Sequence, residues 1–275
     1  MAVKDEANLS LALTSRWTAS ARAKESARED CLFNDPWAAA LAGPEGAKWL
    51  EQRGGNVSPM VVRTRYFDDY LQDAARQRDI LQIVILAAGL DTRAFRLPWP
   101  DGTHLYELDQ PAVLEYKAQV LDAADARPAC KRTAIGSDLT GNWQAALLEN
   151  GFERFRPSTW LLEGLLFYLP NDAILRVLET VSSLAAPGSR LGFDIVNSIT
   201  LTSPITKAWI DMQAQAGAPW IGALDDPETL LTELGWQVAM TQPGSPDAHF
   251  NRWTLPVMPV KMPNMPHNWY VTADK

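Results

Sequence analysis

The order of apolar and polar positions divides the chain into a helical first part and a part in which strands alternate with helices. Apolar residues keep helical spacing over residues 10–80, and the segment 58–79 opens on Ser-Pro and carries a broad apolar face. Such a segment predicts an amphipathic helix with proline in its first turn. Asp35 and Pro36 predict the start of an earlier helix, as N-cap and first-turn residue. We expect no strand before residue 82.

Short apolar runs predict the strands. The run at 82–88 is continuous and β-branched, which is typical of a strand buried on both faces. Six further candidate strands lie at 103–109, 131–138, the start of 158–170, 189–196, 236–242 and 268–275. Helical patterns separate the first five, so we predict βαβ units, an α/β fold and a mostly parallel seven-stranded sheet with right-handed crossovers.

Composition and charge narrow the function classes. The chain has 275 residues, 47% hydrophobic and 21% charged, and its formal net charge is −8. These proportions are ordinary for a globular protein, and the negative balance argues against a nucleic acid partner. Two isolated cysteines, Cys31 and Cys130, predict neither a disulfide framework nor a metal site. Without a signal peptide or a long apolar run, we expect a cytoplasmic protein with no membrane contact.

Polar residues gather where the predicted strands end. Ligands of parallel sheets bind beyond the carboxyl ends of the strands, near the point where the strand order reverses. Four successive strand ends carry acidic groups, and these are Asp91 after Gly89, Glu107 and Asp109, Asp138, and Glu163 on the way to Tyr168. Together they predict one site at this edge of the sheet.

The spacing within "ILAAGLDTRAFRL" (85–97) indicates a nucleoside without phosphates. Asp109 follows Gly89 by about twenty residues, which is the spacing of an acidic residue that binds ribose hydroxyls. Ala87 and Ala88 impede the close backbone approach that a pyrophosphate needs, and Asp91 would repel phosphate. A cationic nucleoside fits better, and S-adenosylmethionine is one. The missing glycines also argue against an NAD-dependent oxidoreductase.

Six blocks carry a family resemblance over nearly the whole chain, in this order: "ARAKES…LFNDPWA", "VVRTRYFDDYL", "ILAAGLDTRAFRL", "YELDQPAVLEYK", "SDLTGNWQAAL" and "STWLLEGLLFYLP". The chain resembles the leucine carboxyl methyltransferase type of class I methyltransferases. It is most similar to the bacterial branch associated with small metabolites and polyketides. The resemblance implies a Rossmann-like class I fold, S-adenosylmethionine as cofactor and O-methylation as activity.

The resemblance also implies roles around the amino-acid tail of the cofactor. Arg63 matches the arginine expected at the cofactor carboxylate, Gly89 matches the turn beside the tail, and Glu163 matches the carboxylate near the amino group. Ala87 stands where the family motif usually has its first glycine, which puts cofactor affinity in question. Other roles stay open for these residues. Arg63 could instead pair with Asp68 or Asp69, and Arg65 would then be the fallback ligand of the cofactor carboxylate. Glu163 could be a structural ion-pair partner, and Arg22 could be a further contact to the tail.

On the nucleoside side, Asp109 matches the ribose ligand, and Asp138 and Leu139 match the pair that contacts adenine. Tyr168 lies where the methyl acceptor should approach, and we take it as the candidate catalytic residue. Purely structural roles stay open too: Asp109 could cap the helix before Pro111, Asp138 could cap the helix near residue 142, and Tyr168 could be a core residue. We expect no metal.

We predict a single domain, residues 1–275, with four parts. They are a helical N-terminal extension (1–80), a cofactor-binding core (81–197), a helical insertion (198–235), and closing strands with a loop (236–275). We expect the extension and the insertion to form a lid and to shape the acceptor pocket.

The predicted reaction is methylation of a small-molecule carboxylate in secondary metabolism. A carboxylate is ionised at neutral pH and needs no base, whereas a phenol normally does. Bases are scarce: His104 falls in a strand, and His249 and His267 flank the proline-rich loop. A phenolic hydroxyl is the next choice of acceptor. Protein C-terminal carboxyl methylation and a non-catalytic cofactor-binding module also stay open.

Overall fold

The computed structural model describes residues 2–52 and 54–275, with side chains described from residue 14 onward except residue 53. Three helices precede the sheet: α1 (Ala2–Ser26), α2 (Ala38–Gln52) and α3 (Ser58–Gln77). As predicted, α3 begins at the Ser-Pro pair and no strand precedes residue 82 in the described part of the chain. Met1 of the predicted N-terminal extension lies outside the described residues.

The start of α2 gives Asp35 two roles. The helix begins at Ala38, and Asp35 caps the turn before it as predicted: its Oδ1 accepts from the Trp37 N–H at 3.3 Å and its carbonyl from the Ala38 N–H at 3.2 Å. The Asp35 carboxylate is buried and accepts hydrogen bonds from Arg22 Nε at 2.8 Å and Thr92 Oγ1 at 2.6 Å. Asp35 therefore ties the first helices to the sheet, because a buried charge must find a partner and Arg22 supplies it.

The seven strands lie where the apolar runs predict them. They are β1 (Gln82–Leu86), β2 (His104–Asp109), β3 (Lys131–Gly136), β4 (Thr159–Leu162), β5 (Arg190–Val196), β6 (Gln237–Thr241) and β7 (Asn268–Asp274). Their order in the sheet is β3-β2-β1-β4-β5-β7-β6. The first five strands run parallel, and β7 is antiparallel to both β5 and β6. The order reverses between β1 and β4, and this opens a crevice beyond their carboxyl ends.

Helices cover both faces of this sheet. They are α4 (Arg93–Arg96), α5 (Pro111–Ala123), α6 (Trp143–Glu149), α7 (Asn171–Leu184), α8 (Ser198–Thr202), α9 (Lys207–Gln215) and α10 (Pro227–Glu233). Alternate residues of β1 enter different cores: Val84 and Leu86 pack with α6, α7 and α10, whereas Ile83 and Ile85 pack with α3 and α5. Helices α8, α9 and α10 occupy the predicted insertion. None of the helices in the described ranges is long and apolar enough to cross a membrane.

Candidate functional site

A cavity of about 500 Å³ opens beyond the carboxyl ends of β1, β2 and β4, with α1, α3 and α9 also on its wall. This volume lies within the roughly 300–1,000 Å³ of small-molecule and cofactor sites. The structure brings all eight predicted site residues to its lining: Arg63, Ala87, Gly89, Asp109, Asp138, Leu139, Glu163 and Tyr168. No group of three or more potential metal ligands occurs among the described residues.

The turn after β1 is shaped by two residues in left-handed backbone conformation. Gly89 has φ +47°, and a Cβ there would lie 3.3 Å from Ser15 Cβ of α1, so both conformation and space favour glycine. Ala87 has φ +52° although it carries a side chain. A left-handed conformation costs a non-glycine residue about 1–2 kcal/mol. The chain thus keeps at Ala87 a conformation that glycine adopts readily, and the alanine carries strain.

Asp109 is bound to that turn. Its Oδ2 accepts a hydrogen bond from the Gly89 N–H and its Oδ1 from the Gln110 N–H, both at 2.6 Å. The N-cap of α5 is Gln110, so the expectation that Asp109 could cap this helix is wrong. A carboxylate has about four acceptor sites, so capacity for further donors is left. Burial raises the pKa of Asp109 above its ordinary value, while the two backbone N–H groups oppose the rise.

Asp138 closes a local turn rather than a helix. Its Oδ1 accepts from the N–H and the hydroxyl of Thr140, at 2.8 and 2.7 Å. Asn142 caps α6 by accepting from the Ala145 N–H, so the cap role considered for Asp138 is wrong. Asp138 and the half-buried Leu139 both line the cavity, after the end of β3.

Arg63 of α3 reaches two carboxylates across the crevice. Its Nε donates to Glu163 Oε1 at 2.9 Å and its Nη1 to Asp194 Oδ2 at 2.8 Å. Asp68 and Asp69, which the sequence offered as partners, are instead paired with other arginines. Although burial opposes the charge, Asp194 and Glu163 raise the pKa of Arg63, so the guanidinium stays cationic at the cavity wall.

Glu163 combines ion pairs with a buried carboxylate oxygen that has no aligned hydrogen-bond donor. Arg93 Nη1 lies 2.8 Å from Glu163 Oε2, but no well-aligned hydrogen bond reaches this oxygen from the described residues. The short distance therefore reflects charge attraction, and Oε2 keeps its capacity to accept a hydrogen bond. Glu163 is thus a structural ion-pair partner and, at the same time, a cavity residue as the family resemblance implies.

Asp194 and Arg93 are site residues that sequence reasoning missed. Asp194 is an acid in the middle of the buried strand β5, and its Oδ1 also accepts from the Gly164 N–H at 2.6 Å. A charged residue inside an apolar run was the available signal. Arg93 pairs with Asp91 and Asp68 beneath the turn.

These charges leave the lining negative. Burial alone would raise the pKa of Asp91, but Arg93, Lys117 and Arg96 lower it to about 2. Within the described lining, four arginines face five carboxylates, which are Asp91, Asp109, Asp138, Glu163 and Asp194. Such a surface suits a ligand that carries positive charge.

Two further arginines were named as cofactor contacts from sequence. Arg22 lines the cavity and is held by Asp35 and by the Leu90 carbonyl, to which its Nη2 donates at 2.6 Å. Arg65 is not part of the lining and pairs with Asp69, so it is not the fallback ligand.

Aromatic rings form another part of the wall. Trp17 of α1 lies 5.7 Å from Trp209 of α9, and Trp209 lies 5.8 Å from Trp220. Trp220 in turn lies 4.2 Å from Phe167, whose ring is 4.8 Å from the half-buried Tyr168. All five rings line the cavity, so its wall combines charged groups with a strip of flat apolar surface.

The three histidines lie elsewhere. His249 is exposed, accepts from the Asn251 N–H and does not belong to the described lining. His104 is bonded to Thr133, and His267 stacks on a tryptophan. The described lining therefore contains no imidazole.

Comparison with known proteins supplies independent findings. A sequence model described as "Leucine carboxyl methyltransferase" matches residues 15–182. A Mycolicibacterium gilvum protein named "Putative S-adenosyl-L-methionine-dependent methyltransferase" is 36% identical over 287 residues, covering 96% of this chain and 95% of that protein. A Mycobacterium tuberculosis protein of the same name is 39% identical over 255 residues, covering 83% and 81%.

Solved structures share the fold at low identity. A DUF574 family protein from Streptomyces avermitilis superposes with a TM-score of 0.64 at 13% identity, covering 95% of this chain and 97% of that one. A structure from Thermobifida fusca described as a "putative methyltransferase" has a TM-score of 0.55 at 17% identity, covering 93% and 94%. At such identities the likeness concerns the fold alone.

Proposed function

The chain belongs to the leucine carboxyl methyltransferase family and is an S-adenosylmethionine-dependent methyltransferase, and we propose that it methylates a carboxylate oxygen of a small molecule to form a methyl ester. The observation that carries the choice of a carboxylate is the lining of the cavity. No histidine belongs to the described lining, and its Arg63 and Arg93 are held by carboxylates. We further propose that the acceptor comes from secondary metabolism.

The residues present fit the cofactor. Glu163 Oε2 has no aligned hydrogen-bond donor and suits the cationic amino group, while Arg63 stands beside it for the carboxylate. Asp109 keeps acceptor capacity for the ribose hydroxyls after binding two backbone amides. Asp138 and Leu139 are proposed for the adenine. When bound, the cofactor supplies a methyl group activated by a sulfonium, and the negative lining supports that positive charge.

The remaining work of the chain is to position the acceptor. A carboxylate with a pKa of about 4 arrives ionised, so the chain need not supply a base to remove a proton from it. Alignment of two reactants in a closed site lowers the barrier by several kcal/mol. We propose that Tyr168 and the rings beside it hold the acceptor and exclude water.

The test is incubation with methyl-labelled cofactor and a panel of matched acids, phenols and short peptides ending in leucine. We expect labelled product from small carboxylic acids. Labelled product from phenols alone would contradict the carboxylate assignment, and product from peptides alone would indicate protein carboxyl methylation. The Asp109→Asn variant serves as control, because product formed at the proposed site should depend on that carboxylate.

A further inference from the structure

One helix of the insertion places an amide at the cavity wall. Gln213 of α9 is fully buried and belongs to the lining, in contrast to the other polar side chains of this helix, which reach solvent. Neither its Oε1 nor its Nε2 has a hydrogen-bond partner in the described part of the chain. A buried amide without partners is unfavourable, so an unpaired one at a ligand cavity indicates a group that the ligand supplies.

Two tryptophans that line the same cavity are close to Gln213 in the chain. Trp209 lies on the same helix, and Trp220 follows a few residues later, with its ring 5.8 Å from that of Trp209. The indole N–H of Trp220 is also buried and without a partner among the described residues. The wall therefore offers flat apolar faces with two kinds of unused donor, an amide NH₂ and an indole N–H, and one unused acceptor, the amide oxygen.

These unused groups restrict the chemistry of the ligand. The Gln213 oxygen requires a donor, which a carboxylate lacks, so the reacting carboxylate alone does not satisfy this amide. A hydroxyl both donates and accepts, and thus pairs with Oε1 while it accepts from a neighbouring N–H. The rings favour a planar partner, because aromatic surfaces stack and bury large areas.

We propose that the methyl acceptor is a hydroxylated aromatic carboxylic acid, whose ring hydroxyl is recognised by Gln213 with Trp220 as a further donor. This inference rests on the proposed carboxylate methylation for the identity of the reacting group. It makes Gln213 a specificity-determining residue: an acid without the hydroxyl leaves the buried amide unpaired on binding, and the site discriminates against it.

Binding measurements separate this inference from the reaction. The affinity of the full chain, saturated with S-adenosylhomocysteine, is measured by calorimetry for aromatic acids in pairs that differ by one ring hydroxyl, such as naphthoic and hydroxynaphthoic acids. We expect the hydroxylated member of at least one pair to bind about tenfold more tightly, as the loss of one hydrogen bond to a buried group implies. Gln213→Met should abolish that preference, since methionine keeps the length of the side chain and removes both polar atoms.

The matched control is Gln215→Met, because Gln215 is exposed at the end of the same helix and its replacement should leave the preference intact. Trp220→Phe provides a second variant if Gln213→Met melts early. The inference is overturned if no pair shows a preference, if the preference survives in Gln213→Met or, where that variant does not fold, in Trp220→Phe, or if no aromatic acid binds. Preferential binding without methyl transfer would support the recognition and contradict the carboxylate reaction, so the two proposals fail separately.

Discussion

The left-handed backbone at Ala87 predicts an unusual effect of replacing alanine by glycine. Ala87 has φ +52°, whereas its neighbour Ala88, which is 5% exposed, is not among the residues with positive φ. Both alanines lie in the same turn after β1. We therefore expect Ala87→Gly to preserve or raise stability, and Ala88→Gly to lower it.

The magnitudes follow from three contributions. Glycine at position 87 relieves about 1–2 kcal/mol of strain. It also costs about 0.5–1 kcal/mol through the greater freedom of the unfolded chain, and about 0.4 kcal/mol through loss of a half-buried methyl group. From the midpoints of these ranges, the net effect at Ala87 is a gain of about 0.3 kcal/mol. Ala88→Gly has no strain to relieve and loses a buried methyl group, so it costs about 1.5 kcal/mol.

The difference between the two variants is the sharper quantity, because the entropy of the unfolded chain is nearly the same in both. We expect about 2 kcal/mol between them in the free energy of unfolding, measured by urea denaturation and followed by tryptophan fluorescence. Equal losses of stability in the two variants would refute the argument that strain resides at Ala87. A large loss of stability in Ala87→Gly alone would mean that packing of the Ala87 methyl group stabilises the fold by more than the backbone strain destabilises it.

Two further predictions concern the cofactor. Asp109→Asn should weaken S-adenosylmethionine binding about 10–100-fold in calorimetry, because hydrogen bonds to a charged group contribute about 1.5–3 kcal/mol; unchanged affinity would remove Asp109 from the ribose site. Because burial raises the pKa of Asp109, this carboxyl should take up a proton at a higher pH than an ordinary aspartate does. Cofactor binding should weaken over the same pH range. Affinity should therefore fall as pH decreases in the native chain and fall less in Asp109→Asn, and equal pH dependence in both would contradict that origin.

Much of the fold could be predicted because strands that are buried on both faces of the sheet appear in the sequence as continuous apolar runs. Each strand lies within two residues of its apolar run, from Gln82–Leu86 to Asn268–Asp274. Strand ends also located Asp109 and Glu163 at one cavity, since carboxyl ends of parallel strands meet at one edge. The proposed division into a lid, a core and an insertion stays a prediction.

Local sequence patterns could not predict which distant side chains pair in the folded chain. Asp35 has the sequence of a helix cap and accepts from the Trp37 N–H, but its bonds to Arg22 and to Thr92 after β1 could not be read from that local pattern. Arg63 meets partners 100 and 131 positions away, which no spacing within α3 could indicate. Gln213 lies in a mostly exposed helix, so its burial follows from the position of α9 at the cavity wall, which the local sequence does not indicate.

The most direct test of the central claim is the alkali lability of the transferred methyl group. Product formed from labelled cofactor and an accepted aromatic acid is treated with mild base, and released methanol is measured. Carboxylate methylation predicts that the label leaves as methanol, because an ester hydrolyses readily. Label that stays on the aromatic product after this treatment would identify an aryl ether and would contradict the account.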